Sequence, residues 1–403
     1  MRLCVLAKVT LFHSIGGMQV HCQRLVEGLK TFGHDVVLVT TSHPDGRTHD
    51  SLGGIDIRYV SEAAPGLYSR GWWSGSVTAV RALHAANPFD AILSEEIAGT
   101  AVARGGPPLP HFIFLQGIIL EHLVSEFHQA KGLTGFSRYL WVKIPEMLYY
   151  TFCHEAGAVR SAEGVFVVSD RLARLVPRWF RVASSRVHVA RNWIDCQHFR
   201  PDQERRSQMR ARLGITPRAP VMLMASVLTR QKGVQIGLRV LAESARTVPD
   251  LTALIVGDGP YRHELEQEAS ALGLGSRARF VGQIENDATA GYHNAADLFL
   301  FPSLRLEGVP YVVLEAMASG LPIVAASSGN LPEVLGDGQC GRLVTPGQVE
   351  EFSRAVEELA RDPALREKLG RAARQRAVAY YSGEAVVPAV LNVIAPDVRA
   401  RVR

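Results

Sequence analysis

The chain has 403 residues, 47% hydrophobic and 21% charged, with a formal net charge of +5. That is the balance of a globular protein long enough for two domains. Five scattered cysteines with no Cys-x-x-Cys pair exclude a disulfide framework or a zinc site, and reduced thiols in the cytoplasm are the expectation.

The first apolar stretch, MRLCVLAKVTLF, is interrupted by Lys8 and followed by Gly16-Gly17, not by a small-residue cleavage site. It therefore reads as a strand, Leu3 to Ala7, then a glycine-bearing loop and a helix from Met18 to Lys30. Gly33-His34 leads to a second strand at Val36–Val39, and further strands fit at 91–93, 111–115 and 165–168. Between the last two lies a helical stretch rich in aromatics, Phe136, Tyr139, Trp141, Tyr149, Tyr150 and Phe152. Aromatic faces stack on sugars and also sit at membrane interfaces, while core packing is the simpler alternative. From Arg160 to Arg200 eight arginines stand against Glu163, Asp170 and Asp195. Such an excess favours anionic partners or is merely a solvated face, and no nucleic-acid motif accompanies it. The polar segment Phe199–Gln208 reads as a linker.

The strand–loop–helix rhythm restarts at Val221–Met224. Lys232-Gly233 opens a helix, Ala253–Val256 is a strand ending at Gly257-Asp258-Gly259-Pro260, and a helix fits about 261–273. Strands at 278–281, 298–301 and 323–325 follow, with a helix opening at Pro310. Short strands alternating with helices argue for parallel sheets covered on both faces. The fold expected is α/β, with two Rossmann-like domains facing across a central cleft.

The segment PSLRLEGVPYVVLEAMASGLP (302–322) carries the chemistry. Glu307 and Gly308 fall in a loop at a strand end, and Val309, Pro310 and Tyr311 start a helix whose unpaired amides suit a diphosphate. Glu315 lies further along that helix, placed to hydrogen-bond ribose hydroxyls, while Glu307 reaches hydroxyls of a transferred sugar. The plain alternative is an exposed helix start with two solvated acids.

Two glutamates separated by seven residues within EGVPYVVLEAMASGLPIVA closely resemble the donor-site signature of the retaining glycosyltransferases of family four, which have the GT-B fold. Gly16-Gly17 resembles that family's N-terminal glycine loop, which approaches donor phosphates. ARNWIDCQHFRPD resembles the segment closing the first domain, with Asn192, Asp195, Phe199 and Pro201 in place. VGDGPYRHELEQEASALGL, RFVGQI and ADLFLFPS follow in the family's order. The resemblance implies domains at 1–198 and 199–378, for acceptor and nucleotide sugar respectively, with 379–403 crossing back to the first. It implies that Glu315 binds the ribose, Glu307 the donor sugar and Lys232 the diphosphate. It further implies no cofactor beyond the nucleotide-sugar donor, and a sugar, glycoside or lipid-linked acceptor. Absence of Asp-x-Asp agrees with metal independence. A cytoplasmic enzyme touching the inner membrane face peripherally is the matching location, with docking on an anionic bilayer if the acceptor is lipid-linked.

Two positions depart from the pattern. Val227 stands where relatives usually carry an arginine, five residues before Lys232, and Arg230 is the substitute expected to reach the diphosphate. Gln116, in FLQGI, stands where histidine often precedes the glycine; it hydrogen-bonds hydroxyls but takes no proton near neutral pH. These departures motivate the alternative of a non-catalytic sugar-nucleotide binder. His13, His111, Glu121 and His122 are weaker candidates, Ser303 is placed to brace the Glu307 loop, and Asn330 and Glu333 resemble a family loop near the donor. An oxidoreductase requires Gly-x-Gly-x-x-Gly directly after the first strand, which is absent here. A phosphorylase requires a pyridoxal lysine, and none is identifiable.

Overall fold

The computed structural model describes residues 1–13, 16–119, 121 and 139–402. The chain divides into two compact units, Met1–Asn192 with Gly383–Arg403, and Trp193–Ser382. Phe136 and His122 lie outside the described residues.

The first unit contains β1 (Arg2–Ala7), β2 (Asp35–Thr41), β3 (His49–Leu52), β4 (Ile55–Val60), β5 (Ala91–Glu95), β6 (His111–Leu115), β7 (Gly164–Val167) and β8 (Val187–Val189). They form one sheet in the order β3-β4-β2-β1-β5-β6-β7-β8, parallel except for the β3–β4 pair. Strands sandwiched between helices have no wet face, which is why Leu3–Ala7, Ala91–Leu93 and Phe112–Leu115 in β1, β5 and β6 read as apolar runs with buried side chains. On one face Trp72, Val80, Phe89 and Val102 pack over Cys4, Val37 and Ile92, and the Trp72 indole donates to Ala98 O at 3.1 Å.

The second unit contains β9 (Val221–Ala225), β10 (Thr252–Val256), β11 (Ala278–Gly282), β12 (Leu298–Phe301), β13 (Ile323–Ala326) and β14 (Gly341–Val344). Their order is β11-β10-β9-β12-β13-β14, all parallel. This is the doubly wound order, whose direction reverses between the first strand of the unit and the fourth. The loops after β9 and β12 leave on either side of that reversal, so side chains about 75 positions apart meet there.

Phe199–Gln208 is not a linker. Helix Gln203–Arg212 begins inside it, capped by the Asp202 carboxylate, which accepts the amides of Glu204 and Arg205 at 3.0 Å. Two of its arginines grip Asp297, Arg206 at 2.7 Å and Arg210 at 2.6 Å. Arg210 also donates to the carbonyls of Thr216, Pro217 and Ala219. Polar composition suggested solvation, but a guanidinium with every donor placed is compatible with burial. The division between units falls at Asn192/Trp193, ahead of this helix.

At the far end, Ile194 N–H donates to Tyr381 O at 2.7 Å, and Arg374 donates to the carbonyls of Cys196, Phe199 and Ala318. Helix Gly383–Val402 then returns to the first unit, where it packs on helix Gly17–Thr31 and on β7. It buries Val386, Val387, Val390 and Ile394.

Candidate nucleotide-sugar site

The reversal between β9 and β12 brings Lys232 and Glu307 together. The Lys232 ammonium donates to Glu307 Oε1 at 2.9 Å, and the Ser303 hydroxyl donates to the same oxygen at 2.6 Å. Lys232 sits on a short turn, Arg230–Lys232, ended by Gly233 in the left-handed region at φ +74°. A Cβ at Gly233 would lie 1.9 Å from Pro302 O, so only glycine lets the two loops touch. Leu304 N–H donates to Gln231 O at 2.8 Å, a second tie between them.

Glu307 is only 7% exposed. Its own backbone is pinned from the next loop: Asn330 N–H donates to Glu307 O at 2.9 Å, and Gly329 (φ +59°) packs so close that a Cβ would meet that oxygen at 2.1 Å. Ser303 thus braces the Glu307 loop, and Asn330 braces it from the other side.

Helix Tyr311–Ala318 begins one residue later than expected. Pro310 is its cap, with extended ψ of 127°, not its first turn, and its carbonyl accepts the amides of Val313 and Leu314. The amide of Val312, at the second helical position, has no partner among the described residues. Val309 and Tyr311 are buried and Gly308 is partly buried. Glu315 is 14% exposed, with Oε2 at 4.0 Å from His293 Nε2. Burial lowers the His293 imidazole to about 4, so it is neutral near pH 7 and this is a polar contact, not an ion pair. His293 is held by a 3.0 Å bond from Nδ1 to Thr289 O and by stacking on Phe299.

Arg230 is exposed, and its guanidinium makes no hydrogen bond or ion pair among the described residues. Val227 is exposed as well. Arg305, which the sequence reading did not single out, is instead the second cation beside Glu307, with Nε 3.8 Å from Oε2. Its place two residues before the glutamate was visible; its direction was not, because loop residues carry no periodicity to read.

The first unit has its own reversal, between β1 and β5. Gly16 caps helix Gly17–Thr31, and a Cβ on Gly17 would meet nothing within 4 Å. Gln116 follows β6, with Nε2 buried and unpartnered among the described residues. Three acids unremarked in the sequence lie nearby in the chain path. Glu95 is buried against His21 at 2.8 Å, and Glu96, at φ +49°, is pushed up to about 7 by burial and by Glu95. Glu155 is pushed up to about 8, chiefly by burial, although its carboxyl accepts the Ile119 amide. His13 ties the loop after β1 to Ser42 O, and His111 bonds Ser94, so both serve the framework. Glu121 pairs with Arg171.

The aromatic stretch does not pack in a core. Trp141 is 79%, Phe152 67% and Tyr149 56% exposed, on helical turns between Tyr139 and Glu155. No helix among the described residues is long and apolar enough to cross a membrane.

Residues 16–193 match a family model described as a glycosyl transferase 4-like domain, and residues 205–376 match that of glycosyl transferases group 1. An alpha-D-kanosaminyltransferase of Streptomyces kanamyceticus is 30% identical over 64% of this chain and 67% of its own length. A GDP-mannose-dependent alpha-(1-6)-phosphatidylinositol monomannoside mannosyltransferase of Mycolicibacterium smegmatis is 37% identical over 46% of this chain, and the match spans half of that relative. Sucrose-phosphate synthase from Thermosynechococcus elongatus superposes with a TM-score of 0.81 at 21% identity, over 99% of this chain and all of that one. Anabaena HepE in complex with UDP-glucose gives 0.76 at 20% identity, over 98% of this chain and all of that one. The two parallel-sheet units and these structural likenesses show the GT-B fold. The chain belongs to the group 1 glycosyltransferases.

Proposed function

We propose that this chain is a retaining, metal-independent glycosyltransferase that moves a sugar from a nucleoside-diphosphate donor to an acceptor hydroxyl. One observation carries the reading: Lys232, Ser303 and Glu307 converge where β9 and β12 part, in the unit that also holds the open start of helix Tyr311–Ala318. In this reading Lys232 and the helix amides take the diphosphate, Glu307 the transferred sugar and Glu315 the ribose. The acceptor oxygen bonds to the anomeric carbon on the face from which the nucleotide departs. The carbon–oxygen bond to phosphate breaks, the nucleoside diphosphate keeps the electron pair, and a phosphate oxygen takes the acceptor's proton. A fixed ammonium and a helix N-terminus stabilise charge as it develops on the leaving group, which is the task a divalent ion performs elsewhere. No cofactor is called for beyond the donor itself.

A nucleotide sugar as donor is supported by the GDP-mannose dependence of one relative and by the UDP-glucose bound in the HepE complex. The relatives also favour glycolipid or small glycoside acceptors. The first unit is the acceptor side in this reading, with Gln116 among its contacts. Exposed Trp141, Tyr149 and Phe152 suit peripheral contact with the inner face of a membrane when the acceptor is a lipid.

The test is a panel of UDP- and GDP-sugars scored by rise in melting temperature, followed by turnover with the donor that binds. Glu315→Ala should weaken nucleotide binding about 10-fold, the loss of a charged hydrogen bond. Glu307→Ala should cut turnover about 100-fold with nucleotide affinity largely retained. If neither variant moves either quantity, the site lies elsewhere. Donor binding without transfer or hydrolysis above background would favour a non-catalytic binder instead.

A further inference from the structure

Arg305 stands beside Glu307 without a hydrogen bond to it. Its Nε is buried and has no hydrogen-bond acceptor among the described residues. The opposite charge nearest in the structure is Glu307, with Nε to Oε2 at 3.8 Å, too long for a hydrogen bond. Glu307 Oε1 already accepts from Lys232 at 2.9 Å and from Ser303 at 2.6 Å. One carboxylate therefore faces two cations, and the cluster carries an excess of positive charge. Contrast Arg206 and Arg210 in the same unit, each of which has its carboxylate within 2.7 Å.

Nor is Arg305 there by looseness of the loop. Its own amide donates to Ser303 Oγ at 3.4 Å, and its carbonyl accepts from Ser328 Oγ at 2.8 Å. The following loop locks Glu307 through Gly329 and Asn330. The Arg305 side chain is 30% exposed, so solvent reaches part of the guanidinium, but its buried Nε is held in place without an acceptor, and such exceptions in folded proteins ask for an explanation. An anionic oxygen arriving from outside supplies one. A planar guanidinium suits phosphate, which presents paired oxygens to its fork.

Resting on the donor-site reading above, we infer that Arg305 is the second cation of the diphosphate site, supplying from the loop after β12 the charge that Val227 lacks in the loop after β9. Val227 is 44% exposed and apolar, and Arg230 is exposed with its guanidinium engaged by nothing described. The diphosphate is then held from both sides of the strand reversal, by Lys232 on one loop and Arg305 on the other. Glu307 lies between the two cations, which orients it toward the sugar attached to that phosphate.

The experiment compares wild type, Arg305→Ala, Arg305→Gln and Arg230→Ala in titrations with UDP, GDP, UMP and GMP. Unliganded melting temperature serves as the folding control. Arg305→Ala should weaken the preferred nucleoside diphosphate about 10- to 100-fold, the loss of a charge-assisted contact. It should weaken the matching monophosphate much less, narrowing the preference for the diphosphate, and Arg305→Gln should fall between. Should Arg305→Ala fail to fold, the uncharged Arg305→Gln of similar length still reads out the diphosphate preference. Equal loss for mono- and diphosphate, no loss, or a larger loss in Arg230→Ala would overturn the assignment. A wild type that binds neither diphosphate instead removes the donor-site reading, and the role of Arg305 with it.

Discussion

Glu307 and Glu315 were legible as candidates because the signature around them is local, eight positions from one to the other, and Lys232 because it opens a helix in RQKG. That Lys232 reaches Glu307 was not local at all, since it depends on which strands lie side by side. The buried acids of the first unit show the same limit more sharply. Glu155 lies among helical turns whose sequence reads as aromatic and amphipathic, and only its 2% exposure reveals a carboxyl that favours its proton. The consequence for stability has a definite sign. With an ordinary value of 4.5 and a folded value of about 8, the folded protein holds a proton that the unfolded chain has lost between those limits. Stability from this group is therefore complete below pH 4.5 and is lost as pH rises toward 8. Glu155→Gln keeps an acceptor for the Ile119 amide and is neutral throughout. It should gain on the order of 2 kcal/mol or more over wild type at pH 8 and little at pH 4.5, by urea denaturation. A difference that stays flat across that range contradicts the buried-acid account.

At the scale of elements, strands came through as continuous apolar runs and helices as periodic ones, with ends off by a residue or two. Helix Gln203–Arg212 was hidden for a physical reason. Its composition is that of a solvated segment, yet Arg206 and Arg210 clamp Asp297, which sits just before β12 and also accepts the Val221 amide at 2.8 Å. Asp297 thus joins the starts of β9 and β12 to the helix that opens the second unit. Asp297→Ala should remove about 3–5 kcal/mol from that unit, because Arg210 is left buried and unpaired. Chemical denaturation of the purified variant measures it, and a loss under about 1 kcal/mol would show the clamp to be dispensable. For the aromatic residues at 139–152 composition left an exposed face and core packing both open, since a run of rings suits either, and what is buried depends on what comes to lie against it.

Across the whole molecule, the closing helix Gly383–Val402 belongs to the unit built from the start of the chain. Its four buried aliphatics, Val386, Val387, Val390 and Ile394, each stabilise by about 1.5–3 kcal/mol when taken from water. A chain ended after Ser382 should therefore lose the first unit to limited proteolysis while the second still binds nucleotide. Loss of nucleotide binding together with the first unit would mean the two do not stand separately. Sequence alone determined the alternation of strand and helix, the family signature and the identity of the acids and lysine that carry it, because each is written in neighbouring residues. Tertiary structure decided the strand order, and with it the meeting of Lys232 with Glu307, the exposure of Arg230 and the unclaimed charge of Arg305. Those depend on contacts between segments far apart in the chain, where desolvation and hydrogen-bond pairing are settled only once the sheets have formed.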